Sequence, residues 1–171
     1  MFAPRDRLLR VAKAKKSLID SWAEGISLEH ATGRTLDQLR HRVTSDRVDL
    51  AARLAKRARQ LLNQRQNRDA ISRAYYSMYH AWRAMSFFET PGDDRDDHLD
   101  LPKFQPKGFP KVELWQNRLK VAREARNRAD YEAYPKTESA WYNDASDLCS
   151  QAEELLRLCR KHLRARGCTY L

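Results

Sequence analysis

The sequence predicts an all-α protein, and three features predict it. Apolar residues recur at three- and four-residue spacing along most of the chain, no stretch alternates like a half-buried strand, and the helix-breaking residues concentrate between 90 and 110. The expected architecture is an up-down bundle of four to five main helices, with an extra N-terminal helix and a long loop before the fourth helix. At 171 residues the chain has the length of one domain. Within it, residues 1–44 read as a helical extension and connector and residues 45–166 as the bundle.

The first helix is expected over about 5–23, where Leu8, Val11, Leu18 and Trp22 form a ragged apolar stripe and Gly25 marks the end. A connector over 25–44 contains Gly33 and one short helical stretch near Leu36–Arg42. The second helix starts at Ser45 as its cap, runs to about Gln66, and buries Leu50, Leu54, Ala58 and Leu61. Its opposite side carries Arg53, Lys56, Arg57 and Arg59.

The third helix, about 68–89, shows three faces. Ala70, Ala74, Ser77, Ala81 and Ala84 make one face entirely of small residues, so a neighbouring helix can approach closely. Ile71, Tyr75, Met78, Trp82 and Met85 supply large packing groups. Arg73, Tyr76, His80 and Arg83 fall on a third face that resembles neither core nor ordinary surface. Pro91, Gly92, Pro102, Pro106, Gly108 and Pro110 then forbid a continuing helix, and a loop of this length in a compact domain usually has a function or moves. The fourth helix is expected over 111–131, and the last from near Thr137 to Arg166, on a stripe of Trp141, Ala145, Leu148, Ala152, Leu155 and Cys159.

Composition narrows the function classes. Charged residues make up 33% and aromatics 9%, too apolar for a disordered chain and too charged for a membrane span. The N-terminus carries charge every few residues and has no apolar stretch of the kind a secretory signal needs. Cys149, Cys159 and Cys168 are an odd number late in the chain, not a disulfide framework, so a reducing cytoplasm is expected. The net charge of +10 is uneven: residues 1–66 hold 15 Lys+Arg against 7 Asp+Glu, the remainder 18 against 16. A basic half points either to an anionic partner, nucleic acid or an acidic protein, or to solvated cations on exposed helix faces. On the first reading Arg53, Arg57 and Arg59 contact a phosphate backbone.

Several groupings can carry chemistry. On the fourth helix Arg126 falls in the apolar stripe of Val112, Trp115, Leu119, Ala122 and Ala129, so the guanidinium needs a partner, and Asp130 lies one turn on. Either the two form an internal ion pair that fixes packing, or Arg126 faces a cleft where its planar fork suits phosphate. The acidic loop Asp93–Asp100, with His98, has carboxylates for a divalent cation but lacks the glycine and spacing of a calcium loop; a solvated loop is the alternative. Cys159 and His162 lie one turn apart, but two ligands do not make a zinc site. No glycine-rich phosphate loop is present, and neither a metal nor a cofactor is expected.

The run Ser72-Arg73-Ala74-Tyr75-Tyr76-Ser77-Met78-Tyr79-His80-Ala81 resembles the signature helix of the HEPN superfamily (higher eukaryotes and prokaryotes nucleotide-binding domain). Arg126-Asn127-Arg128-Ala129-Asp130-Tyr131 resembles its second signature, and Ala152–Leu156 fits the character of its final helix. The likeness covers roughly residues 45–165. It implies a helical bundle, often dimeric, whose relatives include ribonucleases and nucleotide binders of microbial toxin–antitoxin, CRISPR and antiphage systems, with a nucleotidyltransferase-type antitoxin or a defence effector as a possible partner. It also implies a site with Arg126 and Asn127 at the phosphate and Tyr131 beside them, to which the third face of the third helix would add Arg73, Tyr76 and Arg83.

Ribonuclease relatives carry Arg-x4–6-His near the start of a helix, the arginine attending phosphate and the histidine moving protons. Here Tyr131 stands where that histidine would fall, and a phenol with a pKa near about 10 is a poor base at neutral pH. Arg34/His41, Arg73/His80 and Arg157/His162 also match the spacing. Only Arg73/His80 shares a helix face with other candidate residues, which makes His80 the candidate proton carrier beside Arg126. The expected function is therefore RNA or nucleotide binding without strong catalysis. The alternatives are a divergent metal-independent endoribonuclease, or a structural subunit docking on an acidic protein.

Overall fold

The computed structural model describes residues 16–90 and 98–171, with side chains from residue 20 onward in the first helix. Five α-helices span the described residues, with no strand among them: α1 (Lys16–Thr32), α2 (Leu36–Asn63), α3 (Asn67–Glu89), α4 (Val112–Tyr131) and α5 (Tyr142–Ala165). Short 3-10 turns at Leu101–Lys103 and Glu138–Trp141 precede α4 and α5. The chain divides into two compact units between Leu39 and Arg40.

Two expected boundaries near the N-terminus are corrected. The first helix does not stop at Gly25 but passes through it to Thr32. A Cβ at Gly25 would sit 3.3 Å from a Leu36 methyl, so glycine there accommodates a close neighbour. The real stop is Gly33, at φ +64°, a left-handed conformation that favours glycine. The part of the expected helix before residue 16, with Leu8 and Val11, lies outside the described residues. Ser45 is not a cap either: α2 already starts at Leu36, where Thr35 and Gln38 exchange backbone-to-side-chain hydrogen bonds of 3.2 and 3.1 Å in capping-box fashion. Ser45 is buried, and its hydroxyl donates to the Tyr170 carbonyl at 2.9 Å.

The bundle topology follows from who touches whom. Ser77 Oγ donates to the Ala51 carbonyl at 2.8 Å, close to symmetric about the turn between α2 and α3, so these helices are antiparallel. Tyr76 meets Arg126 and Arg68 meets the Ala129 carbonyl, which makes α4 antiparallel to α3. Asn67 meets Glu138, Ala81 meets Cys159 and Glu89 meets His162, so α5 runs parallel to α3. From Arg40 onward the chain is therefore an up-down-up-down bundle.

Its centre is α3. All five small residues of its first face are fully buried, as are Ile71, Met78, Trp82 and Met85, with Tyr75 nearly so. Ser77 of the small face meets Ala51 of α2 and Ala81 meets Cys159 of α5; on α2, Val48, Ala51, Ala55 and Ala58 are buried while Leu50 and Leu54 are only half-buried. Of the expected stripe on α2, Ala58 and Leu61 are buried as expected, whereas at Leu50 and Leu54 the close approach to α3 puts the alanines at the contact and the leucines on its flank. Glu138 receives the Asn67 and Arg68 amide hydrogens at 2.6 and 3.1 Å, placing a carboxylate at the positive end of α3. Among the described residues no helix is long and apolar enough to cross a membrane.

Candidate phosphate-binding cleft

The last two turns of α4 build the site. Its buried stripe of Trp115, Leu119, Ala122 and Ala129 fixes the helix rotation, and that rotation turns Arg126 toward α3. The guanidinium is held at several points: Nη2 donates to the Tyr76 hydroxyl at 3.0 Å, Nη1 to Asn127 Oδ1 at 3.1 Å, and Nε lies 2.7 Å from Asp130 Oδ2. The last contact is an ion pair without hydrogen-bond alignment, since the buried Nε has no hydrogen-bond acceptor. The Tyr76 and Tyr131 rings flank the cation at 5.4 and 5.5 Å.

Beside it opens a cleft of about 260 Å³ lined by Tyr75, His98, Leu99, Arg123, Arg126 and Asn127. Two guanidiniums, an amide, an imidazole and a phenol therefore converge on one concavity. Arg123 makes no ion pair with any described residue, so its charge is available to a ligand. His98 comes from the loop before α4. Its Nδ1 is 2.5 Å from the Tyr75 hydroxyl, and its ring stacks on Tyr79 at 4.2 Å. Burial, helped by Tyr79, raises the Tyr75 phenol well above its ordinary range, against the opposing pull of Arg123 and Arg126. Tyr75 therefore stays protonated, able to donate to His98 and fix its orientation.

The sequence-expected residues divide. Tyr76, Asn127 and Arg126 come together, and Arg126 meets Asp130. Tyr131 is exposed, with its ring beside the guanidinium. His80 is half-buried, is not among the residues lining the cleft, and stands edge-on to Tyr79 at 5.2 Å. Burial first, then Arg83, Arg47 and His98, lower it to about 4, so it is neutral at pH 7 and a weak base. Arg83 lies 5.9 Å from the Tyr79 ring, and Arg73 is exposed. Arg53 and Arg57 are exposed, but Arg59 grips both carboxylate oxygens of Glu153 at 2.8 and 2.9 Å. The arginine of the second signature lies in the final turns of its helix, not near a helix start.

His98, Arg123 and Tyr75 do not stand out in the sequence as site residues. His98 has a sequence role only as a ligand in the carboxylate loop, and residues 93–97 of that loop lie outside the described residues. Tyr75 reads as packing, which its ring is. Among the described residues no three metal-binding side chains cluster. His162 meets Glu89 at 2.8 Å in the core, and the Cys159 thiol donates to the Ala81 carbonyl at 3.3 Å.

These helices and this cleft define a class: an antiparallel helical bundle with an arginine-centred, anion-suited hollow between its middle helices. The HEPN domain profile matches residues 44–162, which hold nearly all of the bundle and the whole cleft, and the chain belongs to that family. No curated protein and no solved structure matches it.

Proposed function

We propose that this HEPN protein binds RNA or a nucleotide through its phosphate at the Arg126 cleft, without strong catalysis. The observation that carries the reading is the convergence of Arg126, Arg123, Asn127 and His98 on one cleft. Arginine forks match phosphate oxygens bidentately, and the hollow has room for a phosphate with its sugar. Family membership supports a nucleotide- or RNA-related role. The proposed setting is a microbial toxin–antitoxin or antiphage system in the cytoplasm, as a homodimer, with a nucleotidyltransferase-type antitoxin or a defence effector as partner. The test is titration of mononucleotides and short RNA into wild type, Arg126→Ala and Arg123→Ala. Loss of binding in both variants supports the cleft, and unchanged binding removes it. A strict monomer by light scattering at high protein concentration removes the dimer.

One observation favours a second reading, a metal-independent endoribonuclease. The His98 imidazole stands in the same cleft as two arginines, where a proton carrier for phosphodiester cleavage is required. Incubating total RNA with wild type and with His98→Ala separates the readings: cleavage that vanishes in the variant makes the protein an enzyme. His80, at about 4, is the weaker candidate for that role.

A further inference from the structure

Helix α5 distributes its charges unequally. Three of its four acids turn to neighbouring helices: Glu153 grips Arg59 of α2 at 2.8 Å, Glu154 meets Arg118 of α4 at 3.2 Å, and Asp144 meets Arg128 of α4 at 3.4 Å. Its cations receive nothing in return. Arg157, Arg160, Lys161 and Arg164 make no ion pair with any described residue. Their spacing of three, one and three residues puts all four on one side of the helix. Together with Leu156 and the already neutralised Glu153 they line a groove of about 440 Å³. Arg157, Lys161 and Arg164 are exposed and Arg160 is half-buried.

We propose that this α5 stripe is a second binding surface, separate from the Arg126 cleft, and that it takes the sugar–phosphate backbone of single-stranded RNA. Two polyanions carry suitable charge, a nucleic-acid backbone and an acidic protein segment, and the lining decides between them. A protein interface needs an apolar core from which water is excluded, and charged residues are depleted there. The described lining offers one leucine, itself almost wholly buried, among four cations. Backbone binding needs no such core, because its free energy comes from released counterions. The reach also fits: Arg157 to Arg164 spans two turns, about 10 Å at 1.5 Å per residue, enough for roughly two to three phosphates of one strand. The stripe meets the backbone, whose contacts position a strand without reading its sequence.

The experiment measures binding of a uridine 12-mer across a salt series, with uridine monophosphate and a glutamate 12-mer as comparison ligands. It uses wild type, the quadruple variant R157Q/R160Q/K161Q/R164Q and Arg126→Ala. Glutamine is a good helix former at such surface positions, and a circular dichroism melt checks that the quadruple variant folds. A triple variant, R157K/R160K/R164K, keeps the charges. The quadruple variant is expected to bind the 12-mer at least about tenfold more weakly, with the slope of log affinity against log salt shallower by about 2, near 0.7 for each phosphate that the stripe no longer neutralises. The triple-lysine variant should stay near wild type, and uridine monophosphate affinity should be unchanged in both. An unchanged salt slope in the quadruple variant overturns the proposal. So does a glutamate 12-mer that binds more tightly than the RNA and loses its affinity in the same variant, which makes the surface a protein-docking site. Failure of the cleft reading looks different: Arg126→Ala then binds the monophosphate normally, while the 12-mer still depends on α5.

Discussion

Replacing Arg126 by alanine separates a structural role from a ligand-binding one, and the structure sets the magnitudes. Its side chain is 20% exposed and that of Asp130 27%, so the pair is neither a surface pair, worth under about 1 kcal/mol, nor a fully buried one, whose breaking costs about 3–5 kcal/mol. A loss of about 1–2 kcal/mol for the pair is expected, with about 1 kcal/mol more for the hydrogen bond to Tyr76. In a chain of this size that lowers the melting temperature by roughly 5–10 °C. Charge-assisted contacts to a phosphate are worth about 1.5–3 kcal/mol, so nucleotide affinity should fall about 10- to 100-fold. Arg126→Lys keeps the charge but cannot hold Tyr76, Asn127 and Asp130 with one planar fork. It should recover part of the melting temperature and little of the affinity. Calorimetric melts and nucleotide titration read both quantities. A loss above about 4 kcal/mol that lysine restores, with affinity restored alongside, refutes the ligand role. Unchanged melting and unchanged affinity refute both roles.

Other perturbations test other parts of the molecule. Ala81→Leu forces a branched side chain into the fully buried contact with α5 beside the Cys159 thiol; a loss of about 1–3 kcal/mol in a denaturant melt is expected, and a neutral result contradicts close helix approach. Tyr75→Phe removes the hydroxyl beside His98 and should cost about 1 kcal/mol and weaken nucleotide binding, whereas wild-type affinity means His98 is not oriented by Tyr75. His80 links stability to pH. The unfolded chain takes up its proton near 6.5 while the folded one resists until about 4, so this contribution is complete above pH 6.5 and declines as pH falls through that window. His80→Gln should lose less melting temperature than wild type between pH 7.5 and 5, and an identical loss in both contradicts a half-buried, neutral His80. Charge reversal at the exposed Arg53 and Arg57 should weaken RNA binding without unfolding if the basic N-terminal half meets the backbone; unchanged affinity sends that role to α5.

Legibility in the sequence followed the range of the interactions. The three faces of α3 were readable because helical periodicity is local, and the structure buries the small and large faces as the spacing requires. Asp130 was readable as the partner of Arg126 for the same reason, being one turn away. Gly25 and Ser45 misled because each has two uses. Glycine ends helices but also admits a close neighbour, here Leu36, and serine caps helices but also satisfies a distant carbonyl, here that of Tyr170 across 125 positions. His98 was beyond a local reading altogether, since it lies in the loop between α3 and α4 and periodicity does not encode that it returns to Tyr75 and Tyr79 of the preceding helix.

Net charge by segment misled in a more general way. Residues 1–66 carry most of the surplus, and residues 67–171 are close to neutral. Counting, however, treats every charge as equally available to a partner. Folding uses charges in pairs: Arg59 goes to Glu153, Arg118 to Glu154 and Arg128 to Asp144, so acids of α5 neutralise cations of other helices and cease to shield their own neighbours. The helix with the most balanced composition thereby presents Arg157, Arg160, Lys161 and Arg164 together, while the basic second helix loses part of its surplus. A field strong enough to hold a polyanion depends on the charges left unpaired and on their spacing along one face. That quantity is set by which helices pack together, and among the described residues it places an unpaired stripe of four cations in the half that composition alone would call neutral.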